Sequence, residues 1–128
     1  MTYHFSKALS GDVPAAIEKV TAALAAEGFG VLTQIDVQAT LKKKIDVDFR
    51  PYVILGACNP GFAYKALQAE DKVGTMLPCN VIVQQIADDE VEVSAVDPIA
   101  SMAGIQNPAL AGIAGEVRTK LEKVIDNL

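Results

Sequence analysis

The apolar residues of this chain change their spacing along its length, and that change most restricts the fold. Val13, Ile17, Val20 and Leu24 recur at steps of four, three and four, which places them on one face of a helix. From Phe29 the period drops to two: Phe29, Val31, Thr33, Ile35 and Val37 fall on one side, with Gly30, Leu32, Gln34 and Asp36 on the other. That is the pattern of a strand. A chain that passes directly from one period to the other must pack helices against a sheet.

Punctuation residues mark where each helix starts. Gly11-Asp12-Val13-Pro14 supplies a turn, a capping side chain and a proline suited to a first helical turn, and Gly28 is placed to end the helix. Asn59-Pro60 and Asn107-Pro108 repeat the cap-plus-proline start. Phe62, Ala63, Ala66 and Leu67 give the first of these helices an apolar face, and it should end near Glu70. Leu110, Ile113, Val117, Leu121, Val124 and Leu128 give the second a long stripe. Val37, Leu41 and Ile45 predict a short amphipathic helix with Lys42, Lys43 and Lys44 mostly outward.

The strands fall between these helices. Residues 2–8 predict an opening strand, and Tyr52-Val53-Ile54-Leu55-Gly56-Ala57 reads as a central strand buried on both faces. Residues 80–87 and 90–97, divided by Asp88-Asp89, read as a hairpin. With 128 residues and no linker, low-complexity tract or internal repeat, residues 1–128 are expected to form a single domain of the α+β class.

Charge and composition narrow the functions. Sixteen acids against eleven bases give a net charge of -5, which argues against nucleic acid and anionic membranes as partners. Lys42-Lys43-Lys44 with Arg50 is read as the wet face of a helix. No apolar run approaches the roughly 18 residues of a membrane span. Met1-Thr2-Tyr3-His4-Phe5 lacks the basic and apolar regions of a leader. Two cysteines make no disulfide framework. A reducing cytoplasm is therefore the expected location.

Cys58 carries the chemistry that the sequence offers. It ends a strand just before the Asn59-Pro60 cap, where free N–H groups and the helix dipole stabilise a thiolate. It can equally be a small buried hydrophobe, since free cysteine is among the most buried residue types. Cys79 begins the next strand. If the two strands are neighbours, the thiols can meet at one edge of the sheet and bind a soft metal such as Cu(I) or Zn(II), or cycle between dithiol and disulfide. Their spacing is not a CxxC motif, and a four-ligand zinc site lacks partners because His4 is the sole histidine.

Asn59-Pro60-Gly61 also presents backbone N–H groups suited to a phosphate or carboxylate, with ordinary capping as the plainer reading. No GxxxxGKS or GxGxxG fingerprint occurs. Asp46, Asp48, Asp97 and Glu70 are read as surface or turn carboxylates. No nucleophile, base and oxyanion set assembles from these residues, so the balance tilts away from an enzyme and no cofactor is assigned.

Ile54-Leu55-Gly56-Ala57-Cys58-Asn59-Pro60, Ala63, Ala66-Leu67 and Leu77-Pro78-Cys79-Asn80-Val81 resemble the family called domain of unknown function 302. The similarity extends through Val93-Ser94-Ala95-Val96-Asp97-Pro98 and the last helix, nearly the whole chain. It implies an antiparallel sheet with helices packed on one face, in a TATA-binding-protein-like arrangement, and a homodimer. It carries over no reaction and no catalytic residues.

Three functional expectations result. The first is a binding module for a small molecule or soft metal ion, its site formed by Cys58, Asn59, Pro60, Gly61, Cys79 and Asn80. The second is a thiol enzyme in which Cys58 is the nucleophile or redox centre and Cys79 its partner. The third is a structural homodimerising domain with inert cysteines.

Overall fold

Both periods of the sequence meet in one apolar layer. The computed structural model describes residues 2–128. Strands β1 (His4–Ser10), β2 (Gly30–Asp36), β3 (Tyr52–Cys58), β4 (Cys79–Ala87) and β5 (Glu90–Val96) form an antiparallel sheet in the order β1-β5-β4-β3-β2. Helices α1 (Val13–Ala26) and α5 (Pro108–Asp126) pack on one face of it. Val20 and Leu24 of α1 and Leu121 and Val124 of α5 join Leu55, Val81, Val83, Val91 and Val93 in one buried cluster. The expected α+β class, with an antiparallel sheet and helices on one face, is the observed one.

Local chemistry fixes the helix ends. Asp12 accepts a hydrogen bond from the Ala15 N–H, and Gly28 (φ 84°) turns the chain out of α1. The short α2 (Val37–Ile45) stops at Asp46, whose φ of 54° is left-handed. Lys7, on β1, donates to the carbonyls of Asp126 and Leu128 at 3.2 and 2.7 Å and so satisfies the end of α5.

Four expectations need correction. The opening strand runs His4–Ser10 rather than 2–8. β3 is an interior strand, between β2 and β4, but it is not buried on both faces. Val53, Leu55 and Ala57 are buried under the helices, whereas Tyr52 and Ile54 on the open face are only half-buried. In β2 a bulge between Val31 and Thr33 inserts one residue against β3 and reverses the faces. Phe29 and Val31 therefore pack on the core, whereas Ile35 is exposed and Val37 already starts α2. Finally, Asp97 is not a simple turn residue: it caps the four-residue helix α4 (Pro98–Ser101), and its Oδ2 accepts from Arg118 Nε at 3.1 Å.

A second, smaller cluster sits at one end of the sheet. Ala66 of α3 (Pro60–Ala69), Val73 of a 3-10 helix (Asp71–Met76), Met102, Leu110 and Ala114 form it. Ile113 of α5 packs against both clusters.

Candidate functional site

The junction where β3 passes into α3 organises an apolar site. Asn59 caps α3: its Oδ1 accepts from Phe62 N–H at 3.5 Å, and its Nδ2 donates to the Glu27 carbonyl at 3.4 Å, tying α3 to the end of α1. Ala57 pairs with Cys79 across β3 and β4. Cys58 therefore leaves the sheet beside the start of β4, after the cis Leu77–Pro78 bond.

Between this junction and the helices lies a cavity of about 320 Å³. Its wall takes Ala57, Cys58 and Asn59 from the β3–α3 junction, Phe62 and Ala66 from α3, and Pro78 and Cys79 from the start of β4. Met102 and, from α5, Ala114 and Val117 complete the far side. Phe29, Ala57, Cys79 and Val117 belong to the large cluster, and Ala66, Met102, Leu110 and Ala114 to the small one. The cavity is thus the seam between the two. No charged side chain lines it, and Asn59 is its one polar residue besides the thiols.

The sequence candidates separate into three groups. Cys58, Asn59 and Cys79 line the cavity. Pro60 and Gly61 lie exposed on the first turn of α3, outside the lining. Asn80, next to Cys79, points to the other face of the sheet, where it is exposed beside Tyr52 and Gln84. The carboxylates lie elsewhere. Asp46 and Asp48 meet Lys42 at 3.0 and 3.3 Å in water, and Glu70 Oε1 accepts from Asn107 Nδ2 at 3.5 Å. His4 Nδ1 bonds Ser6 Oγ at 2.8 Å on β1.

Both thiols are free: Cys58 is half-buried and Cys79 is 8% exposed. Burial first, and the charge of a Cys58 thiolate second, push the Cys79 thiol from 9.0 to about 11. Two consequences are measurable. At pH 8, iodoacetamide modifies Cys58 first, and Cys79 reacts about a hundredfold more slowly than an ordinary thiol, because only the thiolate is nucleophilic. Peptide mapping over time reads both rates, and equal rates would remove the assigned burial of Cys79. Stability is also pH-dependent. Below pH 9 both states hold this proton; between 9.0 and about 11 the unfolded chain has released it while the folded one retains it, so stability falls with pH. Urea unfolding across that window should show a decline that Cys79→Ala lacks.

Sequence reasoning missed Ala66, Met102, Leu110 and Ala114, which build the far wall. The available signal was the small residues of two helices, Ala63 and Ala66 of α3 and Ala114 of α5. Among the described residues there is no group of three or more His, Cys, Asp or Glu side chains that could hold a metal ion, and no helix long and apolar enough to cross a membrane.

An antiparallel five-stranded α+β unit with an apolar cavity where β3 meets α3 is the class that fold and site define. The chain belongs to the family described as domain of unknown function DUF302, which it matches over residues 5–128. It is similar to a crystal structure of an uncharacterized conserved DUF302 protein from Bacillus stearothermophilus, with 32% identity and a TM-score of 0.90 over 99% of this chain and 98% of that one. No curated protein is significantly similar to it.

Proposed function

We propose that this protein is a binding module for a small apolar molecule, held in the cavity between the β3–α3 junction and α5. The observation that carries this reading is the cavity itself: about 320 Å³ with no charged side chain in its wall. That matches the usual make-up of a ligand site, an apolar concavity with a few polar groups that fix orientation. Asn59 and the two thiols supply those groups. A cavity lined by apolar side chains is a poor place for water, which needs two or more polar partners, so an apolar ligand enters without displacing strong hydrogen bonds.

The thiol-enzyme alternative has less support. A resolving partner must form a thiolate, and burial works against that at Cys79. For a soft ion the wall offers the two thiols with the Met102 thioether, but its breadth and apolar character favour an organic guest.

Nile red, an uncharged dye that brightens in apolar surroundings, tests the reading by fluorescence titration. Saturable binding with one dye per chain is expected. Ala114→Phe places a ring in the cavity and should weaken that binding about tenfold or more, equivalent to roughly 1.4 kcal/mol, while the unfolding transition is retained. No binding by the parent protein, or unaltered binding by a folded Ala114→Phe variant, would sink the proposal.

A further inference from the structure

One wall residue of the cavity connects its apolar interior to unpaired positive charge. Phe62 lies in the first turn of α3, half-buried, at the place where α3 approaches α5. Lys65 Nζ of α3 stands 5.7 Å from the centroid of its ring, and Lys120 Nζ of α5 stands 6.0 Å from the same centroid. Two helices thus bring one ammonium group each to a single ring. Lys65 is the one charged residue of α3, and among the described residues neither lysine makes an ion pair. The N-terminal turn of this ten-residue helix adds its own positive partial charge at the same end.

An anion beside the ring would be attracted by both ammonium groups. The cavity also communicates with water: Leu32 and Leu67 line it and are 67% and 45% exposed. Apolar interior, open mouth and two ammonium groups over the ring of one wall residue are the complement of a molecule with a tail and a negative head.

We infer that the ligand is a single-chain amphiphile, its apolar tail in the cavity and its anionic head met by Lys65 and Lys120. This rests on the binding-module reading above and names the class of molecule bound. Volume sets the tail length. Water occupies about 30 Å³ per molecule in the liquid, and at a comparable share for each heavy atom a cavity of about 320 Å³ takes a tail of about ten carbons.

Isothermal titration with three probes that share a ten-carbon tail tests the inference: decanoate, 1-decanol and decyltrimethylammonium. Decanoate should bind about tenfold more tightly than decanol, the combined effect of two partly screened charge contacts, and decyltrimethylammonium more weakly than either. In the Lys65→Gln, Lys120→Gln variant the advantage of decanoate over decanol should vanish while decanol affinity is kept. The Lys65→Arg, Lys120→Arg variant should retain the advantage. Equal binding of decanoate and decanol by the parent protein, or an advantage that survives the glutamine pair, would overturn the anionic head and leave the apolar site standing. Absence of binding by all three probes would overturn the head and the site together.

Discussion

Leu121→Ala is expected to remove about 3–4 kcal/mol of unfolding free energy, within the usual range for a buried leucine cut to alanine. Leu121 is fully buried on α5, in the cluster that holds Val20 and Leu24 of α1 and Val91 and Val93 of the sheet. Its loss leaves a void bounded by a sheet and two helices. None of these collapses easily, because the strands are fixed by their pairing and the helices by their caps. Small domains hold only about 5–15 kcal/mol in total, so the variant should unfold at a much lower urea midpoint with an unchanged slope. A loss below about 1 kcal/mol, typical of a surface substitution, would mean that α5 does not seat Leu121 on the sheet.

Gly56→Val should be nearly as damaging, at about 3 kcal/mol, the upper part of the range for overpacking. The cause is space, not backbone conformation, since Gly56 has no positive φ. A Cβ at this position would run into Thr33 Oγ1 and come within 2.7 Å of Pro78 Cγ. The first obstacle comes from the bulged part of β2 and the second from the residue before β4, so strands on both sides would have to give way. Thr33→Ala in the same chain removes only the first obstacle and should recover part of the loss. Gly30→Val in the same sheet is the control: nothing lies within 4 Å of the added Cβ, and its effect should stay within about 0.5 kcal/mol. Equal effects at the two glycines would refute the packing argument.

These two residues also show which parts of the fold were legible in the sequence. Leu121 stands in a stripe of helical period behind an Asn-Pro start, so its helix and its buried face could both be read. The starts at Asp12 and Asn59 were equally clear, because a capping side chain and a following proline act within a few residues. Asp97-Pro98 carries the same signature and caps α4 in the same way, yet no apolar stripe follows it to announce a helix. Gly56 is harder. Its burial depends on a proline and a threonine brought in by neighbouring strands, and the run from Tyr52 to Ala57 looked two-sided because Ile54 is apolar on a face that no helix covers.

The site divides along the same line. Cys58 and Asn59 were legible because strand end and cap are local features, and the neighbouring strand that pairs Cys79 with Ala57 follows from an antiparallel register. Asn80 was grouped with Cys79 by adjacency in the chain, but successive residues of a strand face opposite ways, which sends its side chain to the open face. The wall built by Met102, Leu110 and Ala114 arises from the docking of α5 over α3, a long-range event with no local signature.

The seam between the two clusters has a mechanical meaning. Apolar contacts have no preferred direction, so once the hydrogen bond from Asn59 to the Glu27 carbonyl opens, the α3 end of the molecule can part from the sheet along this plane without severing any strand pairing. Hydrostatic pressure favours whichever state holds less internal void. Compression would therefore act first on this plane and leave the five paired strands, with α1 against them, as the stiff half of the molecule.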